Sequence, residues 1–499
     1  MTQKSARKIG FFSALSICVG SVVGIGIFLK NASVGKNVAG NGPTWLLTWI
    51  VSGLIALLVA VHFGKIAKVD TPGRRGAGIS TWADQVTTLR QKWFYKFVAF
   101  NYGFFYLAIL GAALAFFTTE LLIAFFREIN PAIQLPVWAH VLVALGFLSL
   151  FVFTNFFSYK LTGWISSTTL VLKFIPLLLT VVIGIILANN HNIVDPNGHP
   201  LTENGFLKPL DGATALKGMM LSLPSVLFAF DAFIGVGALS KQIKGGDRTV
   251  SSVIVFGMLF VTVIYTLIAL ASALHFFPRG TFVANVLRDA LPAGAAKGIA
   301  TFVSLFLFIS AYGTSNAIAA VGLKEFEHIC TKQQALFTRR LFSRFGAKSG
   351  GLLLNLAVVA FWALIMFVPA SLQNSDGLID GFTNLVVVYF FVVYVILIYM
   401  FWKNIWLHDE SFHPNGQKWG YSLLVWITIV AVAAAVALNF FFLIYDAVLR
   451  PSATSSWGLY LDSGTNISNL YSLVTYLIMS PCFLVAPVAN GWLVSRTSL

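Results

Sequence analysis

The chain has 499 residues, of which 58% are hydrophobic and 10% charged, with a formal net charge of +15. Soluble domains carry about 25% charged residues, so this composition excludes an ordinary water-soluble globular protein and points to an integral membrane one. The cysteines Cys18, Cys330 and Cys482 are isolated and show no metal-ligand or CxxC spacing.

A membrane span needs about 20 apolar residues. Apolar runs between polar breaks predict twelve, over 9–30, 43–64, 98–125, 136–157, 162–188, 215–240, 249–276, 296–322, 350–370, 380–403, 419–446 and 466–495. The basic N-terminus (Lys4, Arg7, Lys8) runs into the first of these. That start resembles a signal peptide, but no small-residue cleavage site follows, so the run reads as an uncleaved first helix. The first span is interrupted by Gly20, Gly24 and Gly26, and the sixth by Asp231, Gly235 and Gly237. Glycine lowers helix stability by about 1 kcal/mol relative to alanine. A broken helix in a bilayer is tolerated only where the break lines a protein cavity or water. Paired Gly-interrupted segments in corresponding halves of a chain point to a transporter's binding site.

The loops set the direction. Segment 65–97 holds Lys65, Lys68, Arg74, Arg75, Arg90, Lys92 and Lys96 against Asp70 and Asp84. Segment 323–349 holds Lys324, Lys332, Arg339, Arg340, Arg344 and Lys348 against Glu325 and Glu327. Both lie on the side of the basic N-terminus, and the positive-inside rule places both termini in the cytoplasm. Topology thus accounts for the basic balance, and no nucleic-acid-binding motif accompanies it. The polar stretch 189–214, with Pro196, Gly198, Pro200, Gly205 and Pro209, reads as an external connector. It divides the chain into 1–188 (spans 1–5), 215–403 (spans 6–10) and 404–499 (two further spans).

Ionisable residues inside a membrane cost about 2.5–3.5 kcal/mol on insertion scales and are functional candidates. Lys173, three residues before Pro176 in the fifth span, reads as a titratable cation beside a substrate cavity or as a structural ammonium bonded to broken-helix carbonyls. Asp231 reads as a partner for a substrate ammonium or as the N-cap of the half-helix that follows. Glu120, near the outer end of the third span, reads as an interface residue. The eighth span carries Ser310-Ala311-Tyr312-Gly313-Thr314-Ser315-Asn316. Its small and hydroxyl residues suit close helix packing, and Thr314 and Ser315 with Ser21 are candidates to line the site. The eight histidines are scattered, and no Ser/His/Asp, HExxH or Walker pattern, metal set or cofactor motif appears. An enzyme is therefore not expected.

These residues bring a resemblance into view. Gly20-Ser21-Val22-Val23-Gly24-Ile25-Gly26-Ile27-Phe28 is similar to the first-helix motif, and Phe228-Ala229-Phe230-Asp231-Ala232-Phe233 to the sixth-helix motif, of the amino acid–polyamine–organocation transporters. These are the amino acid permeases of the LeuT-like fold. The resemblance implies an all-α membrane protein of twelve helices. Its core would be a five-plus-five inverted repeat with discontinuous helices 1 and 6, followed by two accessory helices. It implies a secondary active transporter of the plasma membrane, with Gly24, Ile25, Gly26, Phe228, Phe230 and Asp231 at the substrate and Phe230 as an aromatic gate. Lys173 matches a fifth-helix lysine of sodium-independent members, which implies coupling to protons or to exchange of a second amino acid. Polyamine or other small-solute transport, and a non-transporting sensor or partner subunit, are the alternatives on the same scaffold. The chain departs from the family pattern in three places. Ile25 stands for a small polar residue, Ala232 for a glycine, and Lys241-Gln242 with Gly245-Gly246 for an acidic pair and an Asn-Pro.

Overall fold

A computed structural model describes residues 10–69, 78–187, 206, 209–234, 243–244, 246–274, 293–412, 419–459 and 467–497. The basic N-terminus, most of the 189–214 connector, Gly235, Gly237 and Lys241-Gln242 lie outside the described residues. The structure is all-α. Among the described residues, eleven helices are long and apolar enough to cross a membrane. The predicted fifth span forms a helix too, Tyr159–Leu187, whose described apolar stretch, Val171–Ile186, is shorter.

In chain order, α1 (Phe11–Val22) is followed by a π-helical turn (Gly26–Lys30) and α2 (Asn31–Asn37). Next come α3 (Gly42–Ile66), the short α4 (Ile79–Val86) and α5 (Lys92–Asn101). A second π segment, Tyr102–Leu107, leads into α6 (Ala108–Ile129). Then follow α7 (Val137–Phe157), α8 (Tyr159–Leu187), α9 (Gly212–Phe230) and α10 (Gly246–Leu274). The remaining helices are α11 (Ala293–Lys332), α12 (Thr338–Gln373), α13 (Gly377–Phe401), α14 (Trp419–Leu449) and α15 (Asn469–Thr497).

Two segments expected as loops are largely helical. Within 323–349, α11 runs on to Lys332, and α12 begins at Thr338 with a kink at Gly346, whose φ is +73°. Within 65–97 lies α4, with apolar Ile79, Trp82, Ala83 and Val86 buried. Their charges hid helices that continue past the apolar run, because length in a bilayer limits only the apolar part of a helix.

Local chemistry sets several ends. The Asn41 side chain accepts from the Thr44 amide at 2.8 Å and Asp211 from the Thr214 amide at 3.0 Å, satisfying first-turn donors of α3 and α9. Asn374 ends α12 in a left-handed conformation (φ +49°), and its Oδ1 accepts from the Val137 amide at 2.9 Å, tying that end to the start of α7.

The core forms where α3 runs along α10, and α11 along α6, α8 and α12. The second half of the first span packs on α9, which also touches α3 and α13. Trp49, Phe116, Phe117, Phe230, Tyr265 and Tyr394 are fully buried there. In contrast, α14 and α15 leave most of their apolar surface exposed, Val430 and Leu477 by 62% each. Exposed apolar surface on that scale fits contact with lipid rather than water.

Candidate functional site

The first interruption falls where the glycines predict it. Helix α1 ends at Val22, Val23 is extended (ψ 109°), and helix resumes from Ile25. The second falls at the end of α9. Asp231 caps that end in an extended conformation, and Ala232 is left-handed at φ +71°. A left-handed alanine is strained by about 1–2 kcal/mol. The strain falls where the related motif has glycine.

The two breaks meet. A Cβ on Gly26 would lie 2.5 Å from the Ala229 Cα, so only glycine lets the first span cross α9 this closely. A Cβ on Gly24 would lie 2.5 Å from Thr314 Oγ1 of α11. A helix end leaves up to four carbonyls without partners, and here several find them. Lys173 donates to the Gly20 carbonyl at 2.6 Å and to Thr314 Oγ1 at 2.8 Å. The Tyr265 hydroxyl lies 3.0 Å from the Val22 carbonyl oxygen and 3.3 Å from that of Ala229, so one donor serves both broken helices. Ser21 reaches the Ala232 carbonyl at 3.4 Å.

Asp231 is 3% exposed. Its carboxylate accepts from the Tyr106 hydroxyl at 2.5 Å and the Tyr394 hydroxyl at 3.1 Å. It stands at the C-terminal cap of α9, and the half-helix it was expected to cap lies outside the described residues.

A cavity of about 30 Å³ opens between the breaks. That is room for about two or three waters at most, so the walls stand close together in this conformation. Ser21, Ile25, Gly26, Phe228, Asp231 and Thr314, all named from sequence, line it. Tyr106, Leu110, Leu114 and Ile318 complete much of the wall. Three other candidates lie beside it. Gly24 abuts Thr314. The Phe230 ring is directed to Trp49 and Tyr265, with centroids 6.0 and 5.1 Å away, rather than over the cavity. Ser315 bonds into α6, to the Leu114 carbonyl at 3.1 Å and to Thr118 Oγ1 at 2.7 Å. One residue of helical rotation separates Ser315 from Thr314, enough to turn it from the cavity to a neighbouring helix.

Sequence reasoning missed Tyr106. The signal available was a tyrosine deep in an apolar run, whose hydroxyl needs a partner when buried. Its place in a π-helical turn is visible only in the structure. Glu120 also departs from expectation: it is fully buried and paired with buried His140 of α7. The fold-back of α7 onto α6 encloses both.

At the end of the π-helical turn, Lys30 is fully buried and forms an ion pair with Asp380 of α13. It also donates to Asn384 Oδ1 at 2.8 Å and Thr383 Oγ1 at 3.1 Å, and its Nζ lies 4.6 Å from the ring centroid of cavity-lining Phe228. Asp380 Oδ2 accepts from the Gly458 amide at 3.0 Å, and Asp376 Oδ2 from the Leu459 amide at 2.9 Å. The segment between α14 and α15 is thereby fastened to the start of α13. Among the described residues, no group of three His, Cys, Asp or Glu suited to a metal occurs.

The amino acid permease family model matches residues 9–461. The chain belongs to the amino acid permease family. This permease is thus a multi-pass membrane protein of a transporter family, not an enzyme. It is similar to the serine/threonine exchanger SteT of Bacillus subtilis, 22% identical over 443 residues, which cover 86% of this chain and 89% of that one. It is similar to the b(0,+)-type amino acid transporter 1 of Mus musculus, 21% identical over 317 residues, 63% of this chain and 61% of that one. An uncharacterized protein of Mycoplasma pneumoniae is 24% identical over 299 residues, and the match spans 54% of the permease and 50% of that protein.

Proposed function

We propose that this permease is a secondary active transporter that moves amino acids across the plasma membrane by alternating access. Both termini are cytoplasmic, in keeping with the basic segments 65–97 and 323–349. The observation that carries the reading is the convergence of two interrupted helices on one cavity, Gly26 of the first against Ala229 of the sixth. A half-helix beginning at Ile25 and Gly26 presents free amide groups and the positive end of its dipole, which suits a carboxylate. The carbonyl end of α9 beside Asp231 suits an α-ammonium group. A site made this way reads the atoms all amino acids share.

In this reading spans 1–5 and 6–10 are inverted repeats, the last two helices are accessory, and one bundle rocks against the rest. Gly24 gives the first span its close approach to Thr314, while Phe230 and Ser315 support the walls from behind. The outer route closes at Lys30 and Asp380, which must part for substrate to enter from that side. Lys173 joins the first break to α11 and is the proposed coupling residue, either for a proton or in exchange of a second amino acid. The exchanger among its relatives supports the exchange mode.

The test is uptake of labelled amino acids into proteoliposomes of the purified full chain, with and without a pH gradient and with amino acids preloaded inside. Stimulation by preloading supports exchange, and stimulation by an inward proton gradient supports symport. Absence of any amino acid flux under all three conditions defeats the transport reading.

A further inference from the structure

The polar side chains of the cavity wall are all engaged within the protein. Ser21 Oγ donates to the Cys18 carbonyl at 2.8 Å. Thr314 Oγ1 donates to the Ser310 carbonyl at 3.0 Å and accepts from Lys173. Tyr106 donates to Asp231, and Asp231 accepts from both Tyr106 and Tyr394. What remains of the side-chain wall is largely apolar. Leu110 and Leu114 are one turn apart on α6 and share a face, Ile318 stands one turn beyond Thr314 on α11, and Phe228 closes the α9 side.

The formal charges nearest the cavity are paired, with buried Asp376 a further carboxylate beside the Lys30 group. Asp231 in the wall is offset by Lys173 one hydrogen bond behind Thr314, and Lys30 behind Phe228 by Asp380. A zwitterion enters such a site without adding net charge. A cationic side chain would meet a carboxylate already held by two tyrosines, and an anionic one would be brought toward that carboxylate. Burying a charge without a partner is strongly unfavourable. A side-chain hydroxyl would lie against leucine, isoleucine and phenylalanine with its water removed.

We propose that this permease selects zwitterionic amino acids with uncharged, apolar side chains, and that Leu110, Leu114, Ile318 and Phe228 set the size and polarity of the side chain it accepts. The proposal rests on the transport reading above and narrows it to a substrate class. Asp231 then serves to position the end of α9, not to select a cationic side chain.

The experiment compares uptake of labelled L-valine, L-leucine, L-threonine, L-lysine and L-glutamate into proteoliposomes of the full chain preloaded with the same amino acid. The expected result is valine and leucine at least about tenfold faster than lysine and glutamate, and valine about tenfold faster than its near-isostere threonine. With labelled L-phenylalanine as a further substrate for the variants, Leu114→Ala, and independently Leu110→Ala, should shift the phenylalanine-to-valine ratio upward by about tenfold, in keeping with the space opened. Lysine or glutamate moving as fast as valine, or threonine outpacing valine, overturns the proposal while leaving amino acid transport standing. Wild-type flux of none of the five also overturns this inference, and the transport reading falls with it only if no amino acid moves with or without a pH gradient or preloading. The wild-type ranking decides the matter even if a leucine variant does not fold.

Discussion

The hydroxyl of Tyr106 donates a 2.5 Å hydrogen bond to the Oδ2 of Asp231, joining the π-helical entry of α6 to the capped end of α9. Both groups are buried, and both border the cavity. The bond therefore holds one wall of the proposed site against another. Tyr106→Phe removes the donor and leaves a buried carboxylate with one tyrosine fewer. The expected loss is about 1–3 kcal/mol of stability. Tyr394→Phe, which removes the longer 3.1 Å bond, should cost less. Thermal unfolding of the two purified variants in detergent gives the order, and a reversed order contradicts this account of Asp231.

Lys173 donates hydrogen bonds to the Gly20 carbonyl of the first break and to Thr314 Oγ1 of α11. Lys173→Ala removes the charge and both bonds. If this lysine couples transport to protons, the variant's uptake should become flat between pH 5 and 8, the ordinary working range for such measurements, at a reduced rate. An unchanged pH profile in a folded variant rules out the coupling role and leaves the lysine as a strut.

The Lys30–Asp380 pair is fully buried, so removing one partner leaves a charge without compensation. Single replacements Lys30→Met and Asp380→Asn should each destabilise by about 3–5 kcal/mol. Asp380→Asn should be the worse of the two, because Asp380 also accepts from the Gly458 amide. The double variant should recover much of the loss. Unfolding midpoints of the four proteins form a double-mutant cycle, and simple additivity of the two losses would show that the pair does not act as a unit.

Gly26→Ala places a methyl group 2.5 Å from the Ala229 Cα, a backbone atom that cannot rotate aside. Overpacking of this kind costs about 1–3 kcal/mol and should separate the two interrupted helices. Loss of uptake with retained folding is the expected outcome. Gly146→Ala in α7, where an added Cβ meets nothing within 4 Å, should be neutral or slightly stabilising. Equal effects of the two replacements on uptake would disconnect the close crossing from function.

What was legible before the structure followed from contrast with an apolar background. Gly24 and Gly26 stand out because a membrane helix has little reason to carry them, and both prove to sit at close approaches. Lys173 and Asp231 stand out as charges within apolar runs, and both prove to be engaged at the breaks. Leu110, Leu114 and Ile318 had no such contrast. On helices apolar all round, periodicity does not tell a cavity-facing leucine from a lipid-facing one. Phe230 and Ser315 show the same limit from the other side: their motifs were recognisable, but the rotation that turns them from the cavity was not.

The sequence by itself determined the membrane class, the apolar spans and the two places where a helix breaks, because each is a local cost of burying polar backbone or charge in lipid. Tertiary structure decided which groups answer those costs. Tyr265 serves carbonyls at Val22 and Ala229, and Lys30 meets Asp380 some 350 positions along the chain. Such partners depend on helix rotation and crossing, which packing between spans sets and which no single apolar run encodes.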